Sequence, residues 1–254
     1  MTRPKIAIEQ NTRGVVTLTL ARPEKGNALD AEMMALLQSA LERVEADPSA
    51  RVLVIRGEGK HWCSGADVSG GVGETPKGAS VADVCTRLND LRTPTIAVVH
   101  GACIGAGLAL AAACDALLAT PDAYFAIPEV RLGFPPVELM PHFVPAFGVR
   151  FLRRYLLSGE RFGAEAALRA GFVHGVHSTR ALDAAVDEAA DAFLRAAPGA
   201  LAHGKKLLRQ FAAGEAIDDL HSLHARFIAG EEAGEGLASF KEKRHPCWYL
   251  PPGA

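Results

Sequence analysis

The sequence predicts an α/β fold with a helical C-terminal region, and three observations carry that prediction. Strand-like and helix-like apolar periods alternate through the first half of the chain. Two runs, Val-Leu-Val-Ile at 52–55 and Thr-Ile-Ala-Val-Val at 95–99, are apolar without alternation, as strands buried on both faces must be. Beyond Arg150 the apolar spacing is helical alone.

The elements follow in order. Ile6 and Ile8, then Val16, Leu18 and Leu20 alternating with Val15, Thr17 and Thr19, read as two strands joined at Asn11-Thr12-Arg13-Gly14, a hairpin. The breakers in Arg22-Pro23-Glu24-Lys25-Gly26-Asn27 end it. Met34, Leu37, Leu41 and Val44 then recur at helical spacing until Asp47-Pro48-Ser49. Between the two buried strands lies a glycine-rich stretch, 69–78, with too few apolar side chains to join a core, expected to be a mobile loop, and then a helix over 81–92. Residues 116–119 and 123–127 give two further strands around Pro121-Asp122, and helix returns near Val137. Helical spacing continues through 151–157, 164–170, 182–194, 201–211 and 217–228. No low-complexity linker interrupts the chain. The expected organisation is an α/β core over residues 1–195 and a helical region over 196–254.

Composition bounds the function. The chain has 254 residues, 49% hydrophobic and 22% charged, which excludes disorder, collagen and coiled coil and suffices for a large core without disulfides. Lys and Arg number 27 against 29 Asp and Glu, a net charge of −2, so no bulk field favours nucleic acid or an anionic membrane surface. Five cysteines, an odd number without a C-x-x-C pair, fit a reducing cytoplasm. The N-terminal residues lack the apolar core of a signal peptide, and no run approaches the roughly 18 apolar residues of a membrane span, so a soluble cytoplasmic protein is expected.

Two small-residue segments stand at the ends of the buried strands. Cys63-Ser64-Gly65-Ala66-Asp67 lets another molecule approach the backbone closely. Gly101-Ala102-Cys103-Ile104-Gly105-Ala106-Gly107-Leu108 runs into an apolar helix whose first N–H groups have no partner within the helix, a place for an oxyanion. It matches neither a dinucleotide fingerprint nor a P-loop. Glycines of this kind also serve close helix-strand packing. A third segment, Ile127-Pro128-Glu129-Val130-Arg131-Leu132-Gly133-Phe134-Pro135-Pro136-Val137-Glu138, sets one carboxylate directly after an apolar strand and another nine positions on. A glutamate among apolar neighbours is raised toward the working range of a general base. Taken alone, Glu129 also reads as a helix cap or as the ion-pair partner of Arg131.

Together these segments, with Arg22-Pro23 and Asn27-Ala28-Leu29, Ala113-Cys114-Asp115 and Leu157-Ser158-Gly159-Glu160-Arg161-Phe162, resemble the crotonase (enoyl-CoA hydratase/isomerase) superfamily in order and spacing over nearly the whole chain. The resemblance implies a spiral of strand-strand-helix units, a C-terminal helical region that builds homotrimers or hexamers, and acyl-CoA thioesters as substrates. It places the two backbone donors for the thioester oxygen at Ala66 and Ala106, where alanine serves as well as glycine. Losing one such donor typically costs about 2–4 kcal/mol of barrier lowering. It places the CoA moiety against Arg22, Lys25, Ala28, Ser64, Gly65, Asp67, Val68 and Gly105, and its phosphates near Lys243, which otherwise belongs to a solvated basic run. No cofactor beyond CoA and no metal is implied.

The chain departs from the family pattern at one position. Hydratases of the family carry two glutamates. The first falls here on Ala109, and the second is kept as Glu129. An alanine methyl neither orients water nor moves a proton. Double-bond isomerisation, which needs one base, is therefore the expected reaction. Glu138 leaves an alternative open: facing the pocket it restores a second acid and allows hydration, and facing solvent it is a favoured first-turn charge. A catalytically weak acyl-CoA-binding protein is the remaining alternative. Trp62 and Phe134 are expected to shape the acyl pocket.

Overall fold

The computed structural model describes residues 4–68 and 79–253. The glycine-rich stretch 69–78, read above as a mobile loop, lies outside them.

The hairpin forms as expected. β1 (Ile6–Gln10) pairs antiparallel with β2 (Val15–Leu20), Ile8 opposite Leu18. Asp30 caps α1 (Ala31–Ala46) by accepting the Met33 N–H at 2.9 Å, and Met33, Met34, Leu37, Leu41 and Val44 are its buried stripe. β3 (Val52–Gly57) lies parallel to β2, α2 (Val81–Asp90) starts in a capping box of Ser80 and Asp83, and β4 (Thr95–Val99) lies parallel to β3. β5 (Ala102–Ile104) and α3 (Ala106–Ala112) follow, then β6 (Ala116–Ala119), parallel to β4, and β7 (Tyr124–Ala126), parallel to β5.

α4 (Met140–Ser158) is broken at Gly148, which adopts φ 70°, open to glycine at no steric cost. β8 (Phe162–Gly163), α5 (Ala164–Arg169), β9 (Gly175–Val176) and α6 (Thr179–Arg195) come next. The chain ends in α7 (Pro198–Ala212), α8 (Leu220–Ile228) and α9 (Glu231–Glu242). The reading that strands end at Arg150 fails at β8 and β9. Each is two residues long, too short for any periodicity to register, and is recruited by a waiting edge: β8 beside β7, β9 beside β6.

The six-stranded sheet runs β1-β2-β3-β4-β6-β9 and the smaller one β5-β7-β8. Alternation within the buried strands explains their uniform apolarity. Leu53, Ile55, Ala97 and Val99 face a core shared with α1, α2 and α3, whereas Val52, Val54, Ile96 and Val98 face the other way, onto Leu182, Val186, Ala190 and Leu194 of α6. Each face is thus covered by helices. The expected boundary at 195/196 falls between α6 and α7. Lys205 of α7 reaches back to Asp115 at 2.6 Å and the Thr93 carbonyl at 3.2 Å, and Arg209 to the Asn89 carbonyl at 2.8 Å. Among the described residues no helix is long and apolar enough to cross a membrane.

Candidate active site

Three loops converge at the C-terminal ends of β2, β3 and β4. The first pairing joins 22–29 to 63–67. The Leu29 N–H donates to the Gly65 carbonyl at 2.8 Å, Asp67 N–H to the Leu29 carbonyl at 2.9 Å and Ser64 N–H to the Gly26 carbonyl at 2.9 Å. Ser64 Oγ adds a bond to the Lys25 carbonyl. Asn27 holds the junction from inside. Fully buried at φ 56°, it donates from Nδ2 to the carbonyls of Glu58 and His61 at 2.9 and 2.8 Å and accepts the Arg22 N–H on Oδ1. Asparagine is among the few residues that enter that backbone region readily. Its role escaped the sequence reading, although an Asn between Gly26 and an apolar Ala28-Leu29 pair is the available signal.

The second pairing joins 62–63 to the strand entering α3. Trp62 and Cys63 N–H groups donate to the His100 and Ala102 carbonyls, and Ile104 N–H donates back to the Cys63 carbonyl, all at 3.0–3.1 Å. His61 accepts the Ala102 N–H on Nδ1 at 3.2 Å, so its proton sits on Nε2 in the neutral form, and burial lowers its pKa. A Cβ on Gly107 would stand 2.7 Å from Cys63 Sγ, so this glycine serves close packing. Cys63 itself is inert, its thiol pushed up to about 12 by burial.

These pairings bring the two expected donors together. A Cβ placed on Gly65 would lie 3.9 Å from the Ala106 nitrogen, so the backbone entering Ala66 is packed against the turn that presents Ala106. Among the described residues neither the Ala66 nor the Ala106 N–H donates a hydrogen bond within the chain.

Glu129 opens the 3-10 turn Glu129–Leu132 and approaches the same spot. A Cβ on Gly105 would come within 2.6 Å of Glu129 Oε1, so the missing side chain at 105 makes room for the carboxylate beside the Ala106 turn. Glu129 is 9% exposed, its Oε2 is buried without a hydrogen-bond partner, and burial raises its pKa. The alternative reading of Glu129 as the ion-pair partner of Arg131 is not found among the described residues: Arg131 Nε donates to the Ser158 carbonyl at 2.8 Å. Two backbone donors without a partner among the described residues, and a buried carboxylate with one unpartnered oxygen, can together hold a developing oxyanion and exchange a proton with the atom beside it.

The other residues singled out fall as follows. Ala109 is fully buried in the second turn of α3, its methyl part of the core. Glu138 is exposed on the 3-10 turn Val137–Leu139, ahead of the buried Leu139. Arg22 spends its guanidinium on Asp67 at 2.8 Å, Asp30 at 3.3 Å and the Ala28 carbonyl at 2.9 Å, so Arg22, Asp67 and Ala28 bind one another at the loop junction. Lys25 and Val68 are exposed on the same pair of loops. Lys243 lies at the end of α9, exposed, and among the described residues makes no hydrogen bond to this cluster. Trp62 does not line a pocket: it is fully buried, with Nε1 donating to the Ile55 carbonyl at 3.3 Å.

The chain as a whole is similar to known proteins. The enoyl-CoA hydratase/isomerase family model covers residues 10–250. A carnitinyl-CoA dehydratase of Proteus mirabilis is 34% identical over 95% of this chain and 98% of its own. A probable enoyl-CoA hydratase of Mycobacterium tuberculosis is 34% identical over 86% of this chain and 88% of its own. Among solved structures, Pseudomonas aeruginosa AtuE superposes with a TM-score of 0.90 at 32% identity, covering 97% of this chain and 100% of the other. An enoyl-CoA hydratase from Shewanella pealeana gives 0.87 at 32% identity, covering 96% of each chain.

Proposed function

The chain belongs to the enoyl-CoA hydratase/isomerase family, and we propose that it shifts a double bond in an enoyl-CoA thioester with Glu129 as its single acid-base group. The observation that carries this reading is the buried Glu129 carboxylate beside Ala106, the one buried carboxylate among the described residues, with a core methyl at position 109.

The chemistry follows from that geometry. The thioester oxygen accepts from the Ala66 and Ala106 N–H groups. Glu129 takes a proton from the carbon next to the carbonyl of a 3-enoyl ester. The electron pair delocalises onto the thioester oxygen, where the two donors stabilise it. The same carboxylic acid returns the proton two carbons further along, and the double bond ends conjugated with the carbonyl. The proton leaves and re-enters through one group, and no electron is transferred, so the reaction calls for no redox cofactor. The CoA moiety lies along the paired loops 22–29 and 63–68. The C-terminal helices, with Leu208, Phe211, Ile228, Leu237 and Phe240 all more than half exposed, join three chains, or two such trimers, and bring Lys243 to a neighbour's CoA phosphates.

Hydration is the second reading, favoured by the hydratase and dehydratase names of the relatives above. It requires a second acid, for which Glu138 is the candidate in the adjoining loop. Product analysis by mass spectrometry after incubation with 2-enoyl- and 3-enoyl-CoA esters tests the choice. Isomerisation yields a product of unchanged mass that disappears in Glu129→Gln. A product heavier by one water, lost in Glu129→Gln and Glu138→Gln alike, supports hydration instead. Tight acyl-CoA binding with no product from any ester marks a non-catalytic binder.

A further inference from the structure

A second built surface lies away from this site, between α4 and α5. Its floor is a file of aromatic rings from α4: Phe147 stacks on Phe151 with centroids 5.4 Å apart and planes 12° apart, and Phe151 meets Tyr155 at 4.4 Å with planes tilted by 36°. Its rims are guanidinium groups, Arg150, Arg153 and Arg154 on one bank and Arg169 on the other, around a trough of about 750 Å³. Glu160 answers Arg154 at 2.6 Å and Glu165 answers Arg169 at 3.4 Å. Arg150 and Arg153 are exposed and, among the described residues, their guanidinium groups form neither an ion pair nor a hydrogen bond. Ala166 and Ala170 add apolar lining on the α5 side. In a chain of net charge −2, four arginines over an aromatic floor are a local reversal of sign.

We infer that this trough docks an acidic amphipathic helix of a partner protein. A helix laid between two helices offers an apolar stripe to the floor and carboxylates at its edges to both rims, where guanidinium-carboxylate pairs are strong and directional. Charge complementarity would steer the encounter and fix the register. The rings exclude other occupants by how they sit. Their faces are taken by one another and by the Arg154 guanidinium, 4.9 Å above the Tyr155 ring, so a nucleotide base finds ring edges and no free face to stack on. Phe147 is buried and Phe151 and Tyr155 are half-buried below the arginines, the reverse of the protruding rings that enter a bilayer.

The test is fluorescence anisotropy on the full chain with a labelled peptide of about five helical turns, leucines on one face and glutamates flanking them. A scrambled peptide of the same composition is the control. ATP and phosphatidylglycerol vesicles are added as competitors. The expected result is saturable, salt-sensitive binding of the amphipathic peptide alone, weakened at least about tenfold by Arg150→Glu with Arg153→Glu and largely kept by Arg150→Lys with Arg153→Lys. Turnover of acyl-CoA and the mass of the assembled protein stay unchanged in both variants. Absence of binding, equal binding of the scrambled peptide, or displacement by ATP or vesicles would overturn the inference. So would a change in assembled mass on charge reversal, which would show that a second copy of this chain fills the trough.

Discussion

Burial raises the free energy of the charged Glu129 carboxylate more than that of the neutral acid, so Glu129 holds its proton to a higher pH than its ordinary value of 4.5. Two outcomes follow at this one residue. As a base it works only when ionised, so kcat/KM should fall on acidification through a pKa above 4.5, and Glu129→Gln should lower turnover by roughly 10²–10⁴-fold across the profile. Stability carries the opposite sign. A folded state that binds the proton more tightly than the unfolded state is favoured at low pH and loses that advantage as pH rises from 4.5 through the raised value. Thermal unfolding at several pH values should therefore show the wild type losing stability relative to Glu129→Gln over that window. A constant difference between the two would mean that Glu129 is not strained by burial. That Glu129 is buried was legible from its apolar flanks and its place after a strand. Its freedom from Arg131 was not, because the direction in which a 3-10 turn sends two side chains is set by torsions that spacing does not encode. The ion pairs of Arg22 were not legible for a similar reason: its carboxylate partners, Asp30 and Asp67, come from segments that meet only in three dimensions.

The elements that hold the site are the three loops after β2, β3 and β4 and the 3-10 turn that carries Glu129. Gly105 adopts φ 51° and ψ −117°, and any Cβ there would collide with Glu129 Oε1 at 2.6 Å. Gly105→Ala should therefore displace the carboxylate and reduce kcat at least about 10²-fold while leaving the α/β circular dichroism spectrum intact. A variant with normal kcat would detach Glu129 from this turn. At the opposite end of the sheet, Lys205 is 8% exposed and pairs with Asp115, which also accepts the Thr95 N–H and hydroxyl at 2.7 and 2.8 Å. Asp115 is partly exposed and keeps both bonds to Thr95 without the ammonium, so Lys205→Met should cost about 1–3 kcal/mol in denaturant unfolding, whereas Lys206→Met should cost under about 0.5 kcal/mol. Equal small effects would show that α7 is not anchored through this pair. The long elements were readable because their buried stripes run for several turns or a full strand. β5, β8, β9 and α9 were not: three are two or three residues long, and α9 carries Gly234 and Gly236 and few apolar side chains.

At the scale of the whole molecule, the layered core was visible in the uniformly apolar strands 52–55 and 95–99, whose two faces require two covering layers. Apolar spacing alone could not distinguish core-facing from outward-facing helices at the C-terminus. Phe240 at 83% and Leu208 at 73% exposure have no covering layer among the described residues of one chain. Light scattering should accordingly give a trimer or hexamer, and Phe240→Asp with Leu208→Asp a smaller species. A wild-type monomer would remove the basis for placing Lys243 at a neighbour's substrate. The proposal that one glutamate moves the proton is tested most directly by following a 3-enoyl-CoA ester in D₂O by NMR, with wild type, Glu129→Gln and Glu138→Gln side by side. The expected result is a conjugated product from wild type and Glu138→Gln at similar rates, with neither product nor deuterium at the carbon beside the carbonyl from Glu129→Gln. Loss of the reaction in Glu138→Gln, or a hydroxylated product from wild type, would contradict it.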